Sequence, residues 1–365
     1  MGRTSIVVVS YNHRSCIGDC VRALERAALD PTHTRLILVD NASSDGTADL
    51  VRGELLTEDG THTRGGLPAV LFASTENLGF AGGNNLAFRR AIADGDEFVY
   101  MLNPDTEVEP GFLGAALEAA RADPRIALVQ SLLLRHPEIG VINTWGNAIH
   151  YLGFGYAAGD GRRVDDPAVA ALLAEVREVA YASGAATLAR LATLERIGLF
   201  EEELFAYHED LELGWRARLC GFRVVVAPRS RVRHKYEFSR SSRKYYWMER
   251  NRLLVMIWNY RAATLALLAP ALLAMEPGLC LFALRSGWWR EKLRAYGYLL
   301  VPSRWSRILA QRRRMQALRT VTDREATALF TGKVMFPAVS PWLLTHVANP
   351  LLAAYWWLAR GLLHW

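Results

Sequence analysis

Residues 5–10 have the sequence SIVVVS and are followed at once by Tyr11 and Asn12, and this segment decides the fold. A short run of β-branched residues with polar ends is typical of a strand that is buried on both faces. Similar runs recur at residues 35–39, 69–73, 97–102 and 126–130, and helix-like segments separate them, at residues 16–28, 47–55, 84–93 and 110–122. This alternation predicts an α/β fold, with a doubly wound, mainly parallel sheet and helices on both faces.

Polar residues follow three of these predicted strands at the point where each strand ends. Tyr11 and Asn12 follow the first strand, residues 40–47 (DNASSDGT) follow the second, and residues 103–105 (NPD) follow the fourth. Sheets of this kind bind ligands beyond the carboxyl ends of their strands. We therefore expect a binding site along this edge.

Two of the motifs along this edge have the chemistry to hold a nucleotide. Asp40 can accept a hydrogen bond from a nucleobase imide or a ribose, although an Asx turn would also account for it. Residues 76–85 (ENLGFAGGNN) place three glycines before a predicted helix, where free N–H groups can bind phosphate. Glycine-rich turns are often only turns, so neither motif is decisive alone.

Two adjacent carboxylates, Glu209 and Asp210, stand just before a predicted helix in residues 205–212 (FAYHEDLE). A carboxylate that takes a proton from an alcohol needs a rigid, partly enclosed position of this kind. Acidic residues also favour the first turn of a helix, so a helix cap is the alternative explanation.

Asp105, at the end of the fourth strand, has the hard oxygen ligand that a divalent cation prefers. His234 lies far along the chain and could complete the metal shell through an imidazole nitrogen. A single histidine is more often structural, so His234 depends on its partners for this interpretation.

Taken together, these pieces resemble the GT-A fold of glycosyltransferase family 2, especially its rhamnosyltransferase-like bacterial members, over residues 4–255. The resemblance is carried by residues 7–12 (VVVSYN), 39–47 (VDNASSDGT), 76–85 (ENLGFAGGNN), 102–105 (LNPD), 205–213 (FAYHEDLEL), His234 and 249–252 (ERNR). Each motif is modest, whereas their order and spacing together are specific.

The resemblance implies a role for each matching residue. Asp210 would be the catalytic base with Glu209 beside it, and Asp105 and His234 would bind Mg²⁺ or Mn²⁺. Tyr11 and Asp40 would hold the base of a nucleoside diphosphate sugar, and the turn at Ser183 and Gly184 would lie near the donor sugar or the acceptor. The full set that we assign to the nucleotide sugar is Tyr11, Asn12, Asp40, Asn77, Gly79, Gly82, Gly83, Asn84, Asn103, Asp105, Ser183, Gly184 and Arg250.

One position departs from the family pattern. Asn103 stands at the first position of the family's DxD motif, which leaves Asp105 as the single carboxylate. We expect weaker metal binding than two carboxylates would give.

The implied function is an inverting glycosyltransferase of cell-envelope polysaccharide biosynthesis. It would move a sugar, such as rhamnose or a related sugar, from a nucleoside diphosphate donor to a hydroxyl of a lipid-linked or cell-envelope glycan acceptor. Two alternatives remain open: a non-catalytic nucleotide-sugar-binding scaffold of an envelope assembly complex, and a nucleotidyltransferase. A nucleotidyltransferase would need a basic, glycine-rich loop after the first strand, where this chain has residues 11–15 (YNHRS).

The charge of the chain is divided between two regions. Residues 1–250 contain 28 Lys/Arg and 33 Asp/Glu, whereas residues 251–365 contain 15 Lys/Arg and 4 Asp/Glu. Nine of the 11 Trp lie beyond residue 245, and two long apolar stretches cover residues 265–284 and 341–365. We therefore predict a catalytic domain at 1–252 and a helical region at 253–365 that associates with an anionic membrane surface.

The apolar stretches also bear on partners and location. Because they interrupt the Arg residues, nucleic acid is not expected as a partner, and a buried helical hairpin or an oligomer interface is the alternative to membrane contact. Pro270, Glu276 and Pro277 favour a segment that is re-entrant or lies in the interface. The four cysteines show no CxxC spacing, and the first strand leaves no room for a signal peptide. We expect a cytoplasmic enzyme on the inner face of the cell membrane.

Overall fold

The structure is a computed structural model that describes residues 2–235, 242–335, 342 and 344–365. It contains two compact units. Of the described residues, the first unit contains 2–147, 157–213 and 222–235, and the second contains 148–156, 214–221 and the residues from 242 onward. The boundary expected at residue 252 remains a proposal. Pro341, where we expect the second apolar stretch to begin, lies outside the described residues.

The first unit is built on a mixed ten-stranded sheet in the order β10-β12-β6-β11-β4-β1-β2-β3, with β5 beside β12 and β7 beside β6. Strands β8 and β9 form a separate pair. The strands are β1 (Thr4–Ser10), β2 (Thr34–Asp40), β3 (Ala69–Ala73), β4 (Phe98–Leu102), β5 (Thr106–Val108), β6 (Ile126–Arg135), β7 (Ile142–Thr144), β8 (Asn147–Ile149), β9 (Gly155–Ala157), β10 (Arg177–Glu178), β11 (Ala186–Arg190) and β12 (Arg223–His234).

The helices follow the predicted alternation in the first half of the chain and then dominate its end. They are α1 (Ile17–Arg26), α2 (Thr47–Leu50), α3 (Gly79–Ala93), α4 (Phe112–Ala122), α5 (Pro167–Leu172), α6 (Leu191–Ile197), α7 (Glu209–Leu219), α8 (Arg243–Asn259), α9 (Ala262–Arg285), α10 (Trp289–Leu299), α11 (Pro302–Leu318), α12 (Asp323–Ala326) and α13 (Asn349–Leu362). A π-helical turn, Val51–Leu55, extends α2.

The core of the first unit explains why helices cover both faces of the sheet. On one face, Leu24 of α1 and Phe112 of α4 belong to the same buried cluster as Val8 and Tyr100. On the other face α3 lies close to β1, since a Cβ added to Gly83 would come 2.6 Å from Val9. The α/β prediction is therefore confirmed, with a fully parallel arrangement across β4, β1, β2 and β3.

One detail of the predicted fold is wrong: helix α3 begins at Gly79, whereas the sequence predicts a helix from residue 84. Glycines are poor helix formers, so their run favours a turn before the helix. Two later strands complete the sheet. Strand β11 runs antiparallel between β4 and β6, so the sheet is mixed there. The apolar run at residues 223–227 is typical of a strand, and β12 continues beyond it to His234 through a register shift between Ala227 and Arg231.

Candidate active site

The carboxyl ends of β4, β1 and β2 meet at one edge of the sheet. These strands are parallel neighbours, with Ser10 paired with Asp40 and Val8 paired with Leu102. Tyr11, Asn41 and Asn103 are the residues that follow, so the structure brings the three polar motifs together as the sequence predicted.

Asp40 is buried at this edge, with 4% of its surface exposed. Its Oδ2 atom accepts the N–H of Ser43 at 3.2 Å, whereas its Oδ1 atom is buried and makes no hydrogen bond within the described residues. A buried carboxylate oxygen is costly to leave unsatisfied. Asp40 is thus suited to accept a hydrogen bond from a bound molecule, and the exposed ring of Tyr11 lies at the same edge.

The loop after β1 is tied to the loop after β2. The backbone N–H of Asn12 donates to Ser43 Oγ at 3.0 Å, and Asn12 Oδ1 accepts the N–H of Ser44 at 2.8 Å. Asn12 has a positive φ of 59°, a conformation that asparagine tolerates better than most residues. Asn12 therefore fixes the loop after β1 against the loop that begins after Asp40.

The glycine-rich segment is fixed mainly by packing. Gly79 has a φ of +71°, and a Cβ added there would lie 2.4 Å from the carbonyl oxygen of Phe205. A Cβ on Gly82 would lie 2.8 Å from the Cβ of Leu78. These close approaches, like that of Gly83 to Val9, account for the three glycines without a ligand. Their expected role in phosphate binding remains a prediction.

Asn77 and Asn84 hold this segment in place. Asn77 Oδ1 accepts the N–H of Gly79 at 2.9 Å, and Asn84 donates to the carbonyl oxygen of Phe80 at 2.9 Å. Asn41, which is buried after β2, bonds both Asn77 and the carbonyl oxygen of Gly79. The start of α3 is therefore rigidly attached to the edge that carries Asp40.

Asp105 and His234 lie side by side, although 129 positions separate them in the sequence. The antiparallel pairing of β12 with β5 sets His234 opposite Thr106, and Lys235 donates its N–H to the carbonyl oxygen of Asp105 at 2.8 Å. As a result, His234 Nε2 lies 3.4 Å from Asp105 Oδ1. Burial would raise the pKa of Asp105, but the neighbouring imidazoles of His234 and His13 outweigh it and lower that pKa.

Asn143 orients the imidazole of His234. His234 Nδ1 lies 3.0 Å from Asn143 Oδ1, and an amide oxygen only accepts, so Nδ1 carries the proton. The lone pair of Nε2 then faces Asp105, which requires either a cation between the two atoms or a second proton on the ring. Asp105 and His234 therefore fit a two-residue cation site. Among the described residues, no group of three or more His, Cys, Asp or Glu is arranged so that it could hold a metal ion. Sequence reasoning missed Asn143, because it lies in a segment without a motif.

Asn103 contributes backbone contacts beside this pair. Its N–H donates to the carbonyl oxygen of Ala185 at 2.9 Å, and its carbonyl oxygen accepts the hydroxyl of Thr106 at 2.6 Å. These bonds hold the turn from β4 to β5 and thereby the position of Asp105.

Glu209 and Asp210 are the first two residues of α7, instead of preceding it as the sequence suggested. Asp210 Oδ2 accepts the N–H of Gly184 at 3.1 Å, and its Oδ1 accepts the N–H of Leu211 at 2.7 Å. Burial raises the pKa of Asp210, and these two N–H groups oppose that rise. Glu209 is 6% exposed, and its Oε2 atom makes no hydrogen bond within the described residues. Burial and the charge of Asp210 raise the pKa of Glu209 well above its usual value.

The backbone before α7 is strained, and no pattern in the sequence predicts this strain. Phe205, Tyr207 and His208 all have φ angles between 63° and 69°, which bulky residues rarely adopt. The carbonyl oxygen of Phe205 accepts the N–H of Ala81 at 3.1 Å. Clustered strain of this kind is typical of functional sites. Here the strained segment leads directly into Asp210, and its bond to Ala81 attaches it to the first turn of α3.

Arg250 belongs to the second unit. It is buried, donates to Asn251 Oδ1 and packs its guanidinium over the rings of Trp247 and Tyr298, at 4.5 and 4.9 Å from their centroids. Its expected contact with the nucleotide sugar remains a prediction.

Comparison with known proteins shows which proteins this chain resembles. Residues 5–150 match the family described as Glycosyl transferase family 2. The N-acetylglucosaminyl-diphospho-decaprenol L-rhamnosyltransferase of Mycobacterium tuberculosis is 27% identical over 247 residues, which cover 63% of this chain and 75% of that protein. An uncharacterized protein of the same organism is 28% identical over 162 residues, which cover 44% of this chain and 54% of that protein.

Two solved structures share the fold. GalNAc-T7 with UDP, GalNAc and Mn²⁺ superposes with a TM-score of 0.56 at 15% identity, over 72% of this chain and 49% of the other. The mannosyltransferase PcManGT from Pyrobaculum calidifontis, in complex with GDP-Man and Mn²⁺, superposes with a TM-score of 0.50 at 18% identity, over 99% of this chain and 84% of the other. The chain thus spans about half the length of GalNAc-T7 and most of PcManGT. These similarities confirm the GT-A fold.

Proposed function

We propose that the chain is a glycosyltransferase of family 2, because residues 5–150 match that family and a mycobacterial rhamnosyltransferase is 27% identical over 247 residues. It would move a sugar with inversion from a nucleoside diphosphate donor to a hydroxyl of a lipid-linked or cell-envelope glycan acceptor. The observation that carries this proposal is the buried, N–H-anchored carboxylate of Asp210 on a unit that also holds the Asp105–His234 pair. We propose that the transferred sugar is rhamnose or a related sugar, since the mycobacterial relative is named as a rhamnosyltransferase of a lipid-linked substrate.

Asp210 would remove the proton from the acceptor hydroxyl as that oxygen attacks the anomeric carbon. The N–H groups of Gly184 and Leu211 hold its carboxylate in one orientation and favour the ionised form, which is the form that accepts a proton. Burial and the charge of Asp210 raise the pKa of Glu209 well above its usual value, which favours the neutral form of Glu209 beside the base.

The donor would lie along the edge formed by β4, β1 and β2. Asp40 would accept a hydrogen bond from the base or the ribose through its buried Oδ1 atom, and Tyr11 would cover the base. Asp105 and His234 would hold a Mg²⁺ or Mn²⁺ ion, which when bound neutralises charge that develops on the departing diphosphate. With Asn103 in place of a second carboxylate, the imidazole carries a larger share of this binding.

The second unit supports the proposed membrane contact. Helix α9, Ala262–Arg285, is the one helix among the described residues that is long and apolar enough to cross a membrane by length and composition, and only 11% of its most apolar window is buried. Most of the large hydrophobic side chains that are exposed lie beyond residue 262, and the largest exposures on α9 and α13 are those of Leu273 (71%), Leu351 (68%) and Trp357 (73%).

Ion pairs explain how Glu276 fits within this apolar helix. Arg252 pairs with Glu249 at 3.1 Å and with Glu276 at 2.6 Å, and Lys292 pairs with Glu276 at 2.7 Å. Arg252 and Lys292 are at least 98% buried as side chains. Because α9 is attached to α8 and α10 through these pairs, we propose that the second unit lies in the membrane interface, with α9 not crossing it alone, and that the protein works at the cytoplasmic face.

The test is an assay of the full chain with a panel of nucleoside diphosphate sugars, Mn²⁺ and a polyprenyl diphosphate-linked sugar acceptor. A glycosyltransferase releases the nucleoside diphosphate and forms a product with inverted anomeric configuration, which NMR can assign. Formation of a nucleoside triphosphate and a sugar 1-phosphate when pyrophosphate is added with the donor would indicate a nucleotidyltransferase instead. Donor binding without turnover for every donor and acceptor would favour the scaffold and contradict the proposal.

A further inference from the structure

Two side chains from neighbouring strands bind the backbone of Ser183, one at its N–H and the other at its carbonyl oxygen. Gln130 of β6 accepts the N–H of Ser183 through Oε1 at 2.8 Å. Thr187 of β11 donates its hydroxyl to the carbonyl oxygen of Ser183 at 2.6 Å. The two strands place these side chains together, because Thr187 is paired with Gln130 in the sheet.

Both side chains are buried at a cost to folding. Gln130 is 0% exposed and Thr187 is 1% exposed, and Gln130 lies in a strand in which seven of the ten residues are apolar. The Nε2 atom of Gln130 is buried without a hydrogen-bond partner within the described residues. A buried donor that makes no bond destabilises the fold, so packing alone does not explain a glutamine here.

We call the two hydrogen bonds that Gln130 and Thr187 make with Ser183 the clamp. The geometry links this clamp to Asp210. With the Ser183 peptide fixed, the next N–H along the chain, that of Gly184, is directed at Asp210 Oδ2. The turn has little freedom to move, since a Cβ on Gly184 would lie 2.8 Å from the ring of Phe80. The N–H of Ala185 also donates to Ser183 Oγ at 3.3 Å.

We propose that Gln130 and Thr187 are positioning residues for the reaction: they fix the Ser183 peptide so that the Gly184 N–H orients the carboxylate of Asp210. This inference rests on the proposed role of Asp210 as the base. Neither residue touches the reacting atoms in this account, and each acts through the turn between them.

A consequence for the pH profile follows from the chemistry of the carboxylate. An N–H that donates to a carboxylate favours its ionised form, so a loosened turn makes Asp210 harder to ionise. The titratable group beside Asp210 on its own helix is Glu209, and the 183–185 turn that faces Asp210 from outside the helix carries none. The acid limb of the rate profile should therefore move to higher pH when the clamp is removed.

The experiment compares Gln130→Met and Thr187→Val, which keep shape and remove the bond, with Gln130→Glu, which keeps an acceptor oxygen. We expect turnover to fall roughly 10- to 100-fold in the first two, with donor affinity unchanged and the acid limb displaced upward. Gln130→Glu should recover part of the loss. Thr327→Val is the matched control, because Thr327 is buried in the second unit and donates to the carbonyl oxygen of Asp323 at 2.7 Å.

A double-mutant cycle separates this inference from the proposed function. If Gln130 acts through Asp210, Gln130→Met should cost nothing further in an Asp210→Asn background. Additive losses, or wild-type turnover in folded Gln130→Met and Thr187→Val, would overturn the inference and leave the role of Asp210 standing. Near-normal turnover of Asp210→Asn itself would remove the proposed base.

Discussion

His234 Nε2 lies 3.4 Å from Asp105 Oδ1, and the opposite nitrogen of the same ring is bound to Asn143. The bond to Asn143 fixes the orientation of the imidazole and directs Nε2 at the carboxylate. The pair is thus oriented for a shared cation before any ligand arrives.

The first prediction concerns this pair. Mn²⁺ should bind the full chain in the presence of a nucleoside diphosphate, and Asp105→Asn or His234→Ala should abolish or strongly weaken that binding in calorimetry. Asn143→Leu should weaken it roughly 10- to 100-fold, because the imidazole loses its orientation. His33→Ala, at an exposed position, is the control. Unchanged Mn²⁺ affinity in Asp105→Asn and His234→Ala would rule out this metal site.

A related prediction concerns the single carboxylate of the NPD motif. Asn103→Asp should increase Mn²⁺ affinity, since a second hard oxygen ligand is added beside Asp105. Titration of Mn²⁺ into both proteins measures the difference. An unchanged or weaker affinity would mean that the side chain at 103 does not face the cation.

Asp40→Asn should weaken binding of the nucleoside diphosphate. The amide keeps the size of the side chain but replaces a charged acceptor, and a hydrogen bond to a charged group contributes about 1.5–3 kcal/mol. We therefore expect a loss of roughly tenfold or more in calorimetry. Asp49→Asn, whose side chain is 85% exposed, should have no effect. Equal affinities for wild type and Asp40→Asn would remove Asp40 from the nucleotide site.

Much of this arrangement is predictable from the sequence, for physical reasons. The strand at residues 69–73 is predicted and observed at the same residues, because a short apolar run bounded by Pro68 and Ser74 is typical of a strand, and here it forms the half-buried edge of the parallel part of the sheet. The place of Asp40 and Asp105 at one edge follows from that topology. Strand β11 and the contact of Asn143 with His234 do not, since both depend on pairings between distant segments.

The glycine-rich segment illustrates a different limit. Its glycines predict a loop by propensity, yet they form the start of α3, where the nearby Val9, Leu78 and Phe205 leave no room for a side chain. The positive φ angles before α7 cannot be predicted from the sequence either, because the residues that adopt them are not glycines. Tertiary contacts decide both cases.

Glu209 should make stability depend on pH in a definite direction. Its pKa is raised in the folded protein by burial and by Asp210, so the folded state holds that proton more tightly than the unfolded state does. Stability from this group is present below the usual pKa of a glutamate and is lost as the pH rises through the raised pKa. Glu209→Gln should therefore melt at a higher temperature than wild type at pH 8 and show a smaller gain at pH 4. An equal difference at both pH values would contradict the raised pKa.

The second unit should bind vesicles that contain anionic lipid. Leu351→Glu and Trp357→Glu should reduce cosedimentation, because each places a charge on an exposed apolar position of α13. Ile139→Glu, at an 81% exposed apolar position in the first unit, is the matched control.

Salt separates the two contributions to this binding. Arg307 and Arg313 are exposed on α11, and their replacement by Gln should lower binding by about 1 kcal/mol per residue at low salt and by less at high salt. Arg312 is unsuitable for this test, since it donates to the carbonyl oxygens of Ile257 and Tyr260. A full chain that stays in the supernatant with such vesicles would contradict membrane contact.

The most direct test of the account is the turnover of Asp210→Asn at saturating donor. The substitution keeps the size of the side chain and removes its ability to accept a proton, so turnover should fall by roughly 10²- to 10⁴-fold, while donor affinity in calorimetry stays within error of wild type. Near-normal turnover in a folded Asp210→Asn protein would contradict the account and move the base elsewhere, with Glu209 the first residue to test.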